Sequence, residues 1–315
     1  MRYRFVYNEK LKLQFLEWRG SAMHRCVSLF NRIEQFEKQL DKDVLYMSPT
    51  EYHRCLRSAE SPFMNGFVEL FRLVEQYGEW AFDHIGRRSE WLGSCNMYEA
   101  YIQDAPFPDI LTWDDIYAEL LSFYPITEGF AIWPIATLSW LGLTMQECCD
   151  LRNEDMDLKN KLIHTADRDI RIETDSQWKI LSTYVNTRSG IRTQNQTFSV
   201  ELIDKGYFLK QTRTVNSTKS KEKFDSEQIS AQFAAYAGKC LEVGQKPILI
   251  FSAISRMGSY HKLLVLDKQE HVPLDSLKTK EIQRIFNVTG VTPTKKMLIT
   301  EYQLYLKKTE ERDHK

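Results

Sequence analysis

Basic side chains are concentrated in one stretch near the middle of the chain. Between positions 188 and 223 there are eight lysines and arginines against three acidic residues, an excess of five positive charges. Such a cluster predicts contacts to phosphate groups, whose contribution to affinity falls steeply with salt. The alternative is a solvated loop that binds nothing. The eight residues are Arg188, Arg192, Lys205, Lys210, Arg213, Lys219, Lys221 and Lys223.

A second basic group near the C-terminus lies in a pattern typical of two helices joined by a short turn. Residues 275–286 have helical spacing, residues 289–291 include a glycine that predicts a turn, and Thr292-Pro293 has the composition of a helix start. This spacing fits a helix-turn-helix-like element, which would contact DNA. The alternative is a helix pair without a ligand. The basic residues of this group are Lys278, Lys280, Arg284, Lys295 and Lys296.

The overall composition excludes some modes of binding. With 42 lysines and arginines against 43 aspartates and glutamates, the net charge of −1 gives no global attraction to nucleic acid or to an anionic membrane. Any DNA contact must therefore come from the local clusters. The six cysteines include no Cys-x-x-Cys pair, so we expect buried thiols in a reducing compartment, no metal ion and no cofactor.

The sequence also gives an expectation for the compartment. The N-terminal residues carry charge throughout and lack the apolar run of a signal peptide. The uncharged run 129–145 is shorter than the roughly 20 apolar residues that a membrane-spanning helix needs. We therefore expect a cytoplasmic protein without a membrane partner.

Helical periodicity dominates the first part of the chain. Apolar residues recur at helical spacing over 27–40 and 67–80. Between these stretches, Ser48-Pro49-Thr50-Glu51 has the hydroxyl, proline and glutamate of a capped helix start. We predict a small helical domain over 1–90. Residues 91–111, which include two helix-breaking prolines, predict a stiff linker.

Residues 112–315 predict a second domain in which helices and strands mix. Its predicted elements are, in order, a helix capped by Thr112, a buried helix over 130–143, a β-hairpin over 161–173, and helices over 175–186 and from Ser226 onwards. The predicted fold class is therefore mostly α with a small antiparallel β-sheet.

The segment Trp140–His164 resembles the first signature of the tyrosine recombinases, the phage-integrase family. The family has Gly-Leu-Arg followed by a glutamate, whereas this chain has Gly142-Leu143-Thr144 and then Glu147. The resemblance makes Thr144 the position of a catalytic arginine. Threonine supplies neither the charge nor the bidentate fork that stabilises a phosphoryl-transfer transition state, and loss of one such donor typically costs about 10² to 10³ in rate.

Two further family signatures are altered. The family's lysine, a general acid in the hairpin turn, is absent, and Arg168 is a poor proton donor because a guanidinium holds its proton too tightly. In the segment that resembles the family's His-x-x-Arg signature, Ala253 replaces the histidine and Arg256 matches the arginine. The resemblance makes Arg256 a phosphate contact. The alternative is a surface or capping arginine.

The last signature covers the C-terminal helix. The family's Gly-His becomes Gly290-Val291, so the histidine is lost. The resemblance would make Tyr302, or its neighbour Tyr305, the position of the nucleophile. The helical spacing of these tyrosines favours aromatic packing as the simpler interpretation. We therefore expect no catalytic residue in this chain.

The N-terminal part extends the resemblance over nearly the whole chain. FEKQLDKDVLYMSPTEY (36–52) and GFVELFRLVEQYGEWAF (66–82) resemble the helical core-binding domain of bacillus-type phage integrases. The resemblance implies a two-domain tyrosine-recombinase-like fold, with a helical, SAM-like core-binding domain over 1–90 and an α+β catalytic-like domain over 112–315. In that family the two domains clamp opposite faces of duplex DNA.

The altered signatures set the expected function. The chain resembles the integrase-fold master repressors that keep SPβ-like prophages dormant. We expect a sequence-specific, double-stranded-DNA-binding transcriptional repressor without strand-transfer activity, in a bacterial or phage-infected cell. Operator DNA is the expected partner, and a phage regulatory protein is the expected antirepressor. Two alternatives stay open: a divergent active recombinase, and a protein-interaction module. The sequence gives no oligomeric state.

Overall fold

The computed structural model divides the chain into two compact units. It describes residues 5, 7–20, 23–58, 64–93, 112–126, 130–194, 196–212, 223–286 and 294–313. One unit comprises Met1–Phe107 with Val291–Lys315, and the other comprises Pro108–Gly290. Most of the predicted linker, from position 94 to 111, lies outside the described residues.

The first unit is helical. Its N-terminal helices are α1 (Glu9–Arg19), α2 (Met23–Leu40), α3 (Pro49–Ser58) and α4 (Met64–Ile85), with a short 3-10 helix over Val44–Tyr46. The predicted helix start at Ser48 is confirmed. The Glu51 N–H donates to Ser48 Oγ at 3.4 Å, and the Ser48 N–H donates to the Glu51 carboxylate at 2.8 Å. This reciprocal pair satisfies two donors that the first turn of a helix otherwise leaves open.

Aromatic rings fill the core of the first unit. Trp91 stacks on Tyr52 with ring centroids 4.2 Å apart, and its indole N–H donates to the Val44 carbonyl at 2.7 Å. The C-terminal helix, Lys295–Asp313, also belongs to this unit. Its Met297 and Leu304 are buried in the same hydrophobic core as the N-terminal helices. The sequence had predicted this helix as part of the 112–315 domain; the burial of these two side chains explains the difference.

The second unit begins with elements most of which the sequence predicts. The predicted ones are α5 (Trp113–Phe123), α6 (Ile132–Trp140), β2 (Leu162–His164), β3 (Asp169–Arg171) and α8 (Asp175–Asn186). Between α6 and β2 the structure adds α7 (Met145–Asp150), a 3-10 helix (Asn153–Asp155) and β1 (Met156–Asp157). The three strands form an antiparallel sheet in the order β1-β2-β3. Ile163 pairs with Ile170, and both side chains are buried. The predicted hairpin and the predicted helix over 175–186 are confirmed.

A second antiparallel sheet follows, which the sequence analysis missed. Its strands are β4 (Ser189–Gln194), β5 (Gln196–Ile203) and β6 (Gln211–Thr212), in that order. Most of the described part of 188–223, for which a solvated loop was the alternative to a phosphate-binding cluster, is therefore β-sheet. Polar and β-branched residues alternate too weakly here to reveal strands, since threonine, serine and glutamine flank the apolar positions.

The last helices of the second unit enclose its core. They are α9 (Ser226–Glu242), α10 (Phe251–Leu264) and α11 (Thr279–Ile285), with a π-helical turn over Val265–Gln269 and a 3-10 helix over Leu274–Ser276. Every residue of α6 is buried, and α10 packs against it. Ser139 Oγ donates to the Phe251 carbonyl at 2.8 Å at the start of α10. Within the described ranges, no helix is long and apolar enough to cross a membrane.

Candidate functional site

Thr144 caps the first turn of α7. Its hydroxyl accepts from the Glu147 N–H at 3.1 Å, while the Thr144 N–H donates to the Glu147 carboxylate at 2.7 Å. The hydroxyl also donates to Glu147 Oε2 at 2.9 Å. At the position where the family resemblance expects a cationic arginine, this chain therefore has a neutral helix cap.

Arg168 joins the β2–β3 hairpin to the start of α7. Its Nη1 lies 2.7 Å from Glu147 Oε1, and its Nη2 donates to Glu147 Oε2 at 3.2 Å and to the Gly142 carbonyl at 3.1 Å. The side chains of Arg168 and Glu147 are only 17% and 23% exposed. This is the bidentate geometry in which an arginine binds a carboxylate most strongly. The charge of Arg168 is thus balanced inside the unit.

Lys262 is a further cation near Gly142, and no motif in the sequence points to it. Its Nζ donates to the Leu141 carbonyl, beside Gly142. Gly142 has a φ of +86°, and a Cβ there would lie 3.0 Å from Lys262 Nζ. Burial lowers the pKa of Lys262, the charge of Arg168 lowers it further, and Glu173 opposes both effects. We call Thr144, Glu147, Arg168 and Lys262 the Arg168 cluster.

Ala253 and Arg256 both lie on α10, as the resemblance requires. Ala253 is buried and has no polar side-chain group. The Arg256 guanidinium lies 5.1 Å from the centroid of the Phe286 ring, directly after α11. Ser259 Oγ, on the same helix, donates to the Ile285 carbonyl at 3.2 Å. Arg256 is therefore held beside α11, with its guanidinium stacked on an aromatic ring.

Apart from Arg256, Lys210 and Lys223, the predicted basic residues fall into three groups. Those whose side chains reach the surface are Arg188, Lys205, Lys278, Lys280, Arg284 and Lys296, with Lys295 partly buried. For Arg192 the structure gives only the backbone, in β4. Those outside the described residues are Arg213, Lys219 and Lys221, together with Val291 of the last family signature.

Lys210 requires a correction, because its ammonium group is used inside the fold. The residue is only 4% exposed. Its Nζ donates to the carbonyls of Val185 at 2.6 Å and Thr187 at 2.8 Å, at the C-terminal end of α8. Burial lowers the pKa of this lysine. The geometry does not support a phosphate contact; it is that of a cation capping a helix C-terminus.

Lys223 also forms an ion pair within the protein. It forms an ion pair with Asp150 of α7, and the hydrogen bond to this carboxylate raises the pKa of the lysine. Its side chain remains 40% exposed. The surface pair leaves little net positive charge for a phosphate, although solvent can separate such pairs at small cost.

Tyr302 and Tyr305 pack on one another inside the protein. Each is 1% exposed, and their rings are nearly parallel with centroids 6.4 Å apart. Tyr302 belongs to the first compact unit, whereas Thr144, Arg168 and Arg256 belong to the second. The aromatic-packing interpretation of the two tyrosines is therefore supported by their burial and stacking.

Comparison with known proteins gives the following similarities. Residues 6–83 match the family model of MrpR, N-terminal core-binding domain. XerA recombinase has 13% sequence identity and a TM-score of 0.38, over 97% of this chain and 98% of that chain. The Tn1549 transposon integrase, solved with circular intermediate DNA, has 12% identity and a TM-score of 0.45 over 96% of this chain and 98% of its own. No curated protein matches the sequence.

The element order agrees with the predicted fold class. A helical N-terminal unit is followed by a buried helix, a three-stranded sheet with its hairpin, and the buried helix α10. The chain is mostly helical with small antiparallel sheets. Its N-terminal segment 6–83 is similar to the core-binding domain of MrpR.

Proposed function

We propose that this protein is a sequence-specific repressor that binds duplex DNA and neither cuts nor rejoins it. The observation that carries the proposal is the set of capping hydrogen bonds that Thr144 makes. Thr144 stands where the family resemblance expects a catalytic arginine, and its backbone and hydroxyl are both engaged in capping α7. A helix cap replaces a cation at the position where transition-state charge would develop.

The neighbouring cations, Arg168 and Lys262, do not compensate for this replacement. Arg168 is held by Glu147 and by the Gly142 carbonyl, so its donors point into the unit. Lys262 donates to the Leu141 carbonyl in the same region. Strand transfer needs donors aimed at the phosphate oxygens of the transition state, and these side chains are aimed at protein carbonyls and a carboxylate.

DNA binding without cleavage needs exposed positive charge, and the second unit has it. Lys278, Lys280 and Arg284 lie on the surface at and within α11, and Arg188 is exposed before β4. The similarity of residues 6–83 to a core-binding domain adds a second DNA-facing candidate. Phosphate contacts from both units would position the protein, whereas contacts to base edges would give sequence specificity.

The biological setting follows from the resemblance to master repressors of SPβ-like prophages. The match of residues 6–83 to the MrpR domain is consistent with this setting. We propose that the protein maintains a dormant prophage by occupying operator DNA. A phage regulatory protein that releases it, an antirepressor, stays a prediction.

A gel-shift titration tests the DNA-binding part of the proposal. The full chain is titrated against upstream DNA from the source genome and against a scrambled duplex, at low and at moderate salt. We expect tighter binding to one or more upstream fragments. Failure to bind any duplex at low salt would contradict the proposal and favour a protein-interaction module.

A second experiment tests the absence of cleavage. The purified protein is incubated with supercoiled DNA that carries its own binding sites, and a covalent protein–DNA adduct is sought on a denaturing gel. We expect none. An adduct that forms with the wild type and disappears in Tyr302→Phe would show a divergent recombinase instead.

A further inference from the structure

We infer that Glu147 determines specificity by neutralising Arg168, which keeps the Arg168 cluster from adding a phosphate contact that is independent of sequence. The inference rests on the proposed function, since it concerns how this protein distinguishes its own sites from other DNA. The ion pair of Glu147 and Arg168 lies within the second unit.

Arg168 lies in a turn whose backbone is held by three hydrogen bonds to Thr165. Thr165 N–H donates to the Arg168 carbonyl at 2.9 Å, and Thr165 Oγ1 donates to the same carbonyl at 2.7 Å. The Arg168 N–H donates back to Thr165 Oγ1 at 3.2 Å. The backbone of Arg168 is thus fixed at the tip of the hairpin, and only its side chain is free to change partner.

The Glu147 carboxylate binds Arg168 and Thr144 at the same time. Its carboxylate receives both Arg168 Nη atoms, at 2.7 Å and 3.2 Å, while also accepting from the N–H and the hydroxyl of Thr144. It is the partner of Arg168 in a bidentate pair and the reciprocal half of the α7 cap. Removing its charge while keeping its shape would release the guanidinium and spare the cap.

Two cations, Arg168 and Lys262, lie near the Glu147 carboxylate. Arg168 and Lys262 both approach the Leu141–Gly142 turn, where each donates to a carbonyl oxygen. The positive charge of Arg168 acts on Lys262 strongly enough to contribute to the lowering of its pKa. Asp167 Oδ1, 3.4 Å from Arg168 Nη1, and Glu173, which raises the pKa of Lys262, are further acids at this place. Loss of the Glu147 carboxylate would nevertheless remove the nearest counter-charge of Arg168, at 2.7 Å, and would leave its guanidinium able to bind an anion.

Sequence-independent phosphate contacts raise affinity for all DNA alike, so they reduce the ratio of specific to non-specific binding. An arginine at the tip of the hairpin is suited to such a contact, because a guanidinium binds phosphate with the same pair of N–H donors that it offers to a carboxylate. Glu147 occupies these donors. The pair therefore favours discrimination between sites over total affinity.

The test is a salt titration of binding to a short duplex of scrambled sequence, with full-length wild type and Glu147→Gln. We expect Glu147→Gln to bind the scrambled duplex several-fold more tightly at low salt, with a log–log salt slope steeper by about one unit for the added phosphate contact. The double variant Glu147→Gln with Arg168→Gln should lose this gain. Equal affinity and slope for wild type and Glu147→Gln would overturn the inference, as would a gain that survives in the double variant.

Glu119→Gln is the matched control, because it removes the same charge from the second unit. Glu119 lies on α5 and accepts a hydrogen bond from the Tyr236 hydroxyl. Its loss should leave the salt slope unchanged; a slope that changes as much as in Glu147→Gln would mean a general charge effect and would overturn the inference.

Glu147→Asp provides a second route if Glu147→Gln does not fold. It keeps the charge but shortens the reach to Arg168, so we expect a smaller gain in affinity for scrambled DNA. No gain in this variant would then count against the inference. Wild type that binds no duplex at all would instead remove the proposed function itself, so the two failures are distinguishable.

Discussion

Gly258 of α10 lies so close to the Trp140 carbonyl of α6 that a Cβ at position 258 would be 1.9 Å from that oxygen. No side chain fits at this distance, and the oxygen belongs to the backbone, which cannot move away cheaply. The contact is what allows the buried helix α6 and the helix that carries Ala253 and Arg256 to pack together.

We predict that Gly258→Ala destabilises the second unit by about 3 kcal/mol or more, because the new methyl group forces two packed helices apart. The free energy of unfolding, measured by urea titration, checks this. Gly238→Ala is the control. Gly238 is exposed on α9, and a methyl group added there would meet no atom within 4 Å, so alanine should stabilise that helix by about 0.5–1 kcal/mol. Equal effects of the two substitutions would contradict the prediction.

A second prediction concerns the cap of α7. Thr144→Ala removes the hydroxyl that accepts the Glu147 N–H and should cost about 1 kcal/mol of stability. Thr144→Ser keeps the hydroxyl and should stay close to the wild type. Thermal unfolding of the three proteins measures the difference. If Thr144→Ala is as stable as Thr144→Ser, Thr144 is not acting as a cap.

The elements that were predicted correctly are those whose sequence signals lie within a few residues of each other. The start of α3 is specified by Ser48 and Glu51, three residues apart, and the start of α5 by Thr112 and Asp115 in the same relation. The β2–β3 hairpin needs only alternating apolar residues and a turn. Local spacing of this kind is visible in a sequence and does not depend on the rest of the fold.

The interactions that were missed join distant parts of the chain. Lys262 reaches the carbonyl of Leu141, and Lys210 reaches the end of α8. Charge counting placed Lys210 on a binding surface, because a sequence does not tell a buried lysine from an exposed one. The assignment of the last helix to the first unit also depends on which core receives Met297 and Leu304.

A third prediction separates buried from exposed lysines. Lys210→Met removes a cation from the carbonyls at the end of α8 and should destabilise the second unit by about 1–3 kcal/mol. Lys246→Met, at an exposed position, should change stability by less than about 0.5 kcal/mol. Urea unfolding of both variants gives the comparison. Equal stability of the two would contradict the capping role of Lys210.

A fourth prediction concerns the exposed basic residues. Lys280→Glu with Arg284→Glu reverses two charges one turn apart on α11 and should weaken DNA binding and flatten its salt slope. Lys219→Glu with Lys221→Glu should do the same if the basic stretch 188–223 contacts phosphate. Each pair is measured by gel shift at several salt concentrations. A pair whose reversal leaves affinity and slope unchanged does not contact phosphate.

A buried charge cluster in the first unit leads to a prediction about pH. Lys12 Nζ lies 2.7 Å from the Glu37 carboxylate and 3.2 Å from Asp43 Oδ2, and all three side chains are at most 2% exposed. One positive charge thus faces two negative ones away from water. Burial raises the pKa of Glu37 to about 7 from an ordinary 4.5; Lys12 opposes this effect, and the negative charge of Asp43 adds to it.

The sign of the pH effect follows from proton uptake. Because the pKa of Glu37 is higher in the folded than in the unfolded chain, the folded state binds more protons between pH 4.5 and about 7. Glu37 therefore contributes stability that is fully present below pH 4.5 and is lost as the pH rises towards 7. We predict that Glu37→Gln, which stays neutral, flattens the pH dependence of the unfolding free energy in this window.

The effect is measured by urea unfolding of wild type and Glu37→Gln at several pH values across this window. Unfolding is detected by tryptophan fluorescence. Glu34→Gln is the control, since Glu34 lies one turn earlier on α2 in a surface ion pair with Lys38. Its pH profile should run parallel to that of the wild type. If the profile of Glu37→Gln also runs parallel to that of the wild type, the proton is not taken up at Glu37 and the prediction is wrong.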